Sequence, residues 1–301
     1  MILILLAYLA LGAYMASKLP PNDFERSYLD LDRSLMLENY QREFGLATMP
    51  RRMPFRLPLE YWVYEWARSL PIARAGALGV SALGLWLTMQ YASSIAGAQA
   101  GLLAGCVILS SPYIVGSLVS ASYKAPVATL WVGGLYALST EHWKAAMACG
   151  LVLGFLRATS WGMAGYLLLA SGGIWGGILV ISGLGAYLWL NHREVVLSQG
   201  WVRLLKGESC PVQGLPDDGW GYALRTLVRR YESWGAWGLA ALLLGHWGNA
   251  GHVAFTNVLI PSLGVLAVTH FPRALIRPKW VIGYLPDYAF AAAVGIACWL
   301  T

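Results

Sequence analysis

Acidic side chains follow directly after the first apolar segment of the chain. Residues 2–17 carry no formal charge and are typical of a membrane span, and only Lys18 separates them from a segment rich in carboxylates. The acids of that segment are Asp23, Glu25, Asp30 and Asp32, with one cation, Arg26, among them. Carboxylates at a membrane surface can act as general bases or bind a metal ion.

One reaction suits such an arrangement, the transfer of a sugar from a polyprenyl-phosphate carrier. The carrier keeps its chain in the lipid and its phosphate at the interface. A base must then activate the acceptor, and cations or a divalent metal must neutralise the departing phosphate. Asp23 or Glu25 is the candidate base. The candidate phosphate ligands are cations expected at the same interface, namely Arg56, Lys124 and Arg157.

A structural interpretation of the same residues needs no reaction. Acids at the start of a surface helix favour its N-terminal dipole, and arginines near lipid headgroups are ordinary. Composition alone favours this interpretation. Arg157 is a separate case because it is the only formal charge in residues 145–191. Such a residue either faces a cavity or a partner group, or extends its side chain to the interface.

The composition indicates an integral membrane protein. Of the 301 residues, 57% are hydrophobic and 12% are charged, and the mean hydropathy is +0.54. A soluble domain carries about twice that share of charge. The charges are also segregated, since residues 75–123 and 158–191 contain none. A spanning helix needs about 20 apolar residues, so these runs hold several spans.

The apolar runs predict an all-α, polytopic architecture with about nine or ten transmembrane helices. The runs do not alternate as the strands of a transmembrane barrel would, and helices are the other way to satisfy every backbone amide in lipid. The predicted spans are 2–17, 75–91, 98–118, 124–140, 145–157, 159–171, 174–191, 234–247, 253–270 and 282–300. We expect one membrane domain over residues 1–301.

Two long loops interrupt this pattern, at residues 19–73 and 192–233. The span count places both on the same side of the membrane, the outer side if the amino terminus is cytoplasmic. Apolar residues recur at helical spacing over 23–44, which predicts an amphipathic helix on the membrane surface. LPLEYWVYEWARSLP, residues 57–71, predicts a second, aromatic-rich helix that returns to the bilayer.

Several function classes find no support in the sequence. The net charge of +6 comes from residues that flank spans, interspersed with acids, so it does not indicate a nucleic-acid partner. The four cysteines are scattered without a CxxC pair, which argues against a disulfide framework or a zinc site. There is no phosphate-binding glycine motif for a nucleotide sugar. Any activated donor is therefore expected to be lipid-linked.

The order of these features resembles the GT-C membrane glycosyltransferases, in the branch of aminoarabinose transferases and protein O-mannosyltransferases. That branch carries D-E-x-R-Y-x-E-x-x-R after its first helix, and NDFERSYLDLDR is similar. Glu25, Tyr28 and Arg33 match in register. Asp30 stands at the second Glu position, and Asp23 and Arg26 match in type but are displaced by one residue.

Later motifs extend the resemblance over most of the chain. RLPLEYWVYEW is similar to K-P-P-L-Y-Y-W, with Arg56 at the Lys position and Tyr61 in register. LRATSW takes the place of a T-K-G-P hairpin turn, with Arg157 for Lys. RPKWVIGYLPDYAFAAA, residues 277–293, resembles the stretch that opens a late helix in the branch.

The resemblance implies a GT-C fold and a set of site residues. It implies Asp23 and Glu25 as catalytic, and Arg26, Arg56, Tyr61, Lys124 and Arg157 as substrate-binding. It also implies a polyprenyl-phosphate lipid and the bilayer as partners. The membrane would be the bacterial cytoplasmic (inner) membrane.

One departure from the branch leaves an alternative function open. In SASYKAPVA, Lys124 occupies the position of a second Asp found in many members of the branch. The replacement removes a metal ligand or an acceptor contact. The alternative is a catalytically silent, GT-C-like accessory subunit of a larger membrane complex. A transporter or redox protein would need paired acids or histidines within the spans, and the sequence offers neither.

Overall fold

The computed structural model describes residues 1–21, 25, 69–156, 160–190, 220–245, 248–270 and 279–301. Every regular element within these ranges is a helix, which confirms the all-α prediction for this part of the chain. Most of the loop predicted at 19–73, with its surface helices, lies outside the described residues. Residues 192–219 of the second long loop also lie outside the described residues.

The first two helices meet at one end of the bundle. Helix α1 comprises Ile2–Lys18 and α2 comprises Leu70–Leu109. We call the end at which α1 finishes and α2 begins the Glu25 end. Helix α2 is interrupted at Gly97, whose φ of 83° suits glycine because it lacks a Cβ. The chain reverses there, since Gly101 packs against Met89 and Ser93 of the preceding arm.

The second arm of α2 is followed by a short helix in the same direction. Helix α3 comprises Pro112–Val119, and the side chain of Ser111 caps it by accepting a hydrogen bond from the Ile114 amide at 3.3 Å. Gly105 lies against Ile4 and Gly116 against Met15, so this broken segment runs parallel to α1. The predicted span at 98–118 is therefore two helices with a break between them.

The middle of the chain forms two helical hairpins. Helix α4 comprises Lys124–Ser139 and α5 comprises Trp143–Leu156. Helix α6, Trp161–Leu190, reverses at Gly173, where φ is 53°. Its second arm folds back on the first, because Gly183 packs against Trp161. The sequence had predicted this division, as separate segments at 159–171 and 174–191.

The last third of the chain begins with a helix longer than expected. Helix α7 comprises Trp220–Leu244 and bends at Tyr231, so the end of the predicted loop at 192–233 is helical. A continuous segment follows, composed of α8 Asn249–Ala254, a π-helical turn Phe255–Leu259 and α9 Ile260–Thr269. The chain ends with α10 Lys279–Tyr284, a 3₁₀ turn Leu285–Tyr288 and α11 Ala289–Leu300.

Small residues allow these helices to pack closely, as is common in membrane proteins. Gly84 of α2 receives the ring of Phe290 from α11 and the hydroxyl of Thr129 from α4. At the centre, Trp131 is fully buried and donates a 3.0 Å hydrogen bond from Nε1 to Ser262 Oγ. Helices α2, α4, α9 and α11 therefore share one core.

Four helical segments in the described ranges are long and apolar enough to cross a membrane. They are Leu70–Leu109, Trp161–Ala186, Asn249–Thr269 and Ile282–Leu300. The first two consist of two arms each, because the chain reverses at Gly97 and at Gly173. Their length and composition are those of an integral membrane protein. The count of nine or ten spans, the GT-C topology and the identity of the membrane stay predictions.

Candidate functional site

The carboxyl end of α1 is held by a side chain from α2. Arg74 lies one turn inside α2 and is 4% exposed. Its Nη1 donates to the carbonyl oxygens of Ala16 at 2.6 Å and Leu19 at 2.8 Å, and its Nη2 donates to Pro20 O at 3.2 Å. The last carbonyls of a helix lack intrahelical partners and carry partial negative charge. Arg74 therefore supplies both the donors and the charge that this helix end favours.

Glu25 completes the hydrogen bonding of the same guanidinium. Arg74 Nε donates to Glu25 Oε1 at 2.8 Å and Nη2 donates to Oε2 at 2.7 Å, which makes a bidentate ion pair. A guanidinium has five N–H donors, and these five bonds use all of them. Glu25 has no exposed surface. The pair is thus buried and matched in geometry, the condition under which a buried ion pair is tolerated.

A third part of the chain joins the pair through its backbone. The amide of Ala121, in the turn between α3 and α4, donates to Glu25 Oε1 at 2.7 Å. We call the ion pair, this amide and the three carbonyls the Glu25–Arg74 clamp. The clamp ties the end of α1, the start of α2 and the α3–α4 turn to one point. It thereby fixes Glu25, the described residue of the acidic segment, against the helical bundle.

The α3–α4 turn brings a second predicted residue to this end of the bundle. Ser120 Oγ donates to Ser117 O at 2.8 Å and lies 3.4 Å from Ser122 Oγ. Lys124 begins α4 and is half-buried, and its amide donates to Ser122 Oγ at 3.4 Å. Glu25 and the start of α4 are therefore neighbours through Ala121.

The other residues of the predicted site lie outside the described part of the chain. They are Asp23, Arg26, Arg56, Tyr61 and Arg157. Their roles, and the shared cavity predicted for Arg56 and Arg157, stay predictions.

Sequence reasoning missed Arg74, the residue on which the clamp depends. In the sequence, Arg74 stands at the border of the uncharged run 75–123. The signal was present, because Arg74 stands within an apolar helix and is followed by 75–123 without a formal charge. A charge inside a span usually pairs with another group of the protein, and the nearest acids in the loop are the natural partners.

A second buried polar group lies in the late segment that the resemblance had marked. Asp287, in the 3₁₀ turn, is 2% exposed. The ring of His270 stacks on Tyr284 with centroids 4.1 Å apart and meets Tyr288 edge-on at 5.9 Å. Burial, the neighbouring Tyr113 and the Asp287 carboxylate raise the pKa of the Tyr231 phenol. The rings of His270, Tyr284 and Tyr288 thus join the end of α9 to α10 and to the start of α11.

The described residues offer no metal centre of the usual kind, since no three His, Cys, Asp or Glu side chains come together in them. Comparison of the chain with protein-family models, curated proteins and solved structures found no match in any of the three. Among the residues that the sequence analysis singled out, Glu25 has the best-defined partners, which are those of the Glu25–Arg74 clamp.

Proposed function

We propose that this chain transfers a sugar from a polyprenyl-phosphate donor to an acceptor at the outer face of the membrane. The supporting observation is the Glu25–Arg74 clamp, which binds the start of the acidic segment to three helix ends. A transferase of this kind needs its carboxylate held where lipid meets water, because orientation of reacting groups supplies much of the rate acceleration. A clamp two residues after Asp23 would provide that constraint.

Within this proposal the two acids have different duties. Both oxygens of Glu25 already accept charge-assisted or backbone hydrogen bonds, and the residue is fully buried. A carboxylate so engaged would have to leave Arg74 before it could take a proton from an acceptor. We therefore assign the general base to Asp23 and a positioning role to Glu25.

The remaining duties in the proposal fall on cations. Arg26, Arg56, Lys124 and Arg157 would neutralise the carrier phosphate, alone or with a divalent metal, and Tyr61 would line the donor site. Of these cations, Lys124 lies in the described part of the chain. Its position supports this role, because it begins α4 next to the turn that contacts Glu25. A cation at that place would favour the phosphate as charge develops on it.

Two observations favour a second candidate, a catalytically silent accessory subunit of a membrane complex. Both oxygens of the Glu25 carboxylate are engaged in structural hydrogen bonds. Lys124 stands where many members of the resembled GT-C branch have an Asp. In that case the clamp would serve only to hold α1, α2 and the α3–α4 turn together. The two candidates differ in activity, so activity separates them.

The test is transfer by the purified full chain in proteoliposomes, with a panel of polyprenyl-phosphate sugars and a soluble acceptor. Asp23→Asn should lower the rate by about 10²–10⁴, the usual loss for a general base. Glu25→Gln should lower the yield of folded protein more than the rate per folded molecule. Full activity of Asp23→Asn would refute the assignment. Absence of transfer by the unmodified chain with every donor would establish the accessory subunit as the better proposal.

A further inference from the structure

Helix α7 consists of two arms with different chemistry. The bend at Tyr231, with φ of −121° and ψ of 22°, separates residues 220–230 from residues 232–244. The first arm contains Arg225, Arg229 and Arg230. Glu232 is the first residue after the bend, and residues 233–244 carry no formal charge. The cations of this helix therefore lie on the first arm, and one acid lies at the bend.

Contacts along the second arm set the level of the bend. Tyr231 Oη donates to the carbonyl of Ile282 at 3.0 Å, and Ile282 is the first residue of a candidate membrane span. Further along α7, Trp237 donates to Ser110 Oγ at 2.9 Å, and Gly245 lies against Trp299 near the other end of that span. The second arm thus runs beside the span. The first arm lies at or beyond the level where the span begins.

The exposed surface of the first arm has an apolar side and a basic side. At ~100° per residue, Leu224 and Val228 share one side, and Arg225 and Arg229 share another, centred ~100° away. Leu224 is 56% exposed and Val228 is 66% exposed, and both arginines are exposed. The face toward the protein is provided by other residues, with Ala223 buried and Leu227 packed on the core.

Arg230 differs from the other two arginines because its side chain contacts Tyr113 of the protein. Its Nη1 donates to Tyr113 Oη at 3.2 Å, and its guanidinium carbon lies 5.0 Å from the centroid of the Tyr113 ring. Arg225 and Arg229 form no ion pair within the described ranges. Two cations one turn apart are thus directed away from the protein, beside apolar side chains.

We infer that the first arm is an interfacial helix that binds the anionic headgroups of the bilayer. Leu224 and Val228 enter the acyl boundary, and Arg225 and Arg229 contact phosphate groups of negatively charged lipids. A basic side next to an apolar side is the pattern of helices that lie in the membrane interface. Each arginine near an anionic surface contributes attraction that falls off with salt.

The test uses the full chain reconstituted in equimolar phosphatidylglycerol and phosphatidylcholine. Spin-labelled versions of each lipid report the fraction immobilised by the protein. The unmodified chain should prefer phosphatidylglycerol, and Arg225→Gln with Arg229→Gln should reduce that preference by roughly two- to fivefold. Lys144→Gln is the matched control, because Lys144 is an exposed cation at the start of α5, away from this arm. High salt should reduce the preference of the unmodified chain in the same way.

Three outcomes would overturn the inference. The double variant could keep the full preference, or Lys144→Gln could lose as much of it. Alternatively, a polyprenyl phosphate at one equivalent per protein could displace phosphatidylglycerol, in which case the arm would be a dedicated carrier site. Recovery of folded protein is compared by size-exclusion profiles. Should the double variant fold poorly, Arg225→Gln and Arg229→Gln are tested singly. Each should then lose part of the preference, and full preference in both would overturn the inference.

Discussion

The same side chain, arginine, occupies two opposite environments in this protein. Arg74 is buried, and each of its N–H groups has an acceptor within the chain. Arg225 and Arg229 are exposed on the first arm of α7 and present their charge to the surroundings. The buried arginine is part of what determines the fold, because three chain segments depend on it. The exposed pair forms no ion pair in the described ranges, so we expect it to determine what the surface attracts and not the fold.

Removing Arg74 should have the largest effect on stability. Arg74→Leu leaves the Glu25 carboxylate buried without its cation, and it strips the end of α1 of three donors. Breaking a buried pair in this way costs about 3–5 kcal/mol. The measurement is thermal unfolding of the purified chain in detergent. Arg74→Lys is the control, because it keeps the charge but has three donors in place of five. Its unfolding temperature should lie between those of the unmodified chain and Arg74→Leu. Equal stability of all three proteins would mean that the clamp is not needed.

Substitution of Glu25 should have a smaller effect. In Glu25→Gln, Arg74 keeps its three carbonyl acceptors at and just after the end of α1, and the Gln oxygen can still accept from the Ala121 amide. Loss of one charge from a hydrogen-bonded pair costs about 1–3 kcal/mol. The double variant Arg74→Leu with Glu25→Leu separates the ion pair from the helix end. It should recover only part of the stability lost in Arg74→Leu, because the carbonyls of Ala16 and Leu19 remain without donors. Complete recovery would show that the ion pair alone, and not the helix end, accounts for the effect.

The sequence predicted the helices better than it predicted the clamp, and the reason is physical. Long apolar runs report helices locally, so the described residues of the segments predicted at 98–118, 159–171 and 174–191 are helical except at Ser110–Ser111. The turns at Gly97 and Gly173 fall in the gaps 92–97 and 172–173 between predicted spans, and glycine tolerates the positive φ found there. The break at Ser110–Ser111 was not predicted, since a serine cap needs no change in hydropathy.

The pairing of Glu25 with Arg74 could not be derived from spacing. The two residues are 49 positions apart, and the chain between them includes most of a long loop. Local pattern identifies a charge inside an apolar helix, but it does not say which distant acid the charge will meet. The resemblance to the GT-C branch identified Glu25 as important for a different reason, catalysis, and it did not draw attention to Arg74.

An intermediate case connects the two environments. Arg230 is exposed, yet it donates to Tyr113 Oη and lies over the Tyr113 ring. Arg230→Gln should cost about 0.5–1 kcal/mol, the range for a cation–π contact at an exposed site. Tyr113→Phe is the matched variant, because it removes the hydroxyl and keeps the ring. Its loss should be smaller, and a loss equal to that of Arg230→Gln would assign the whole effect to the hydrogen bond.

Arg225→Gln should have the smallest effect on unfolding, although its effect on lipid preference is expected to be clear. The residue is exposed and forms no ion pair in the described parts of the chain, and such surface substitutions usually change stability by no more than about 0.5 kcal/mol. The measurement is the same thermal unfolding, made in detergent alone and again with added phosphatidylglycerol. In detergent alone, Arg225→Gln and the unmodified chain should unfold together. A lipid that binds only the folded chain raises its stability by mass action, so added phosphatidylglycerol should stabilise the unmodified chain more than the variant. A large loss in detergent alone would place Arg225 with Arg74, among the arginines that the fold itself requires, and would remove the distinction between the two environments.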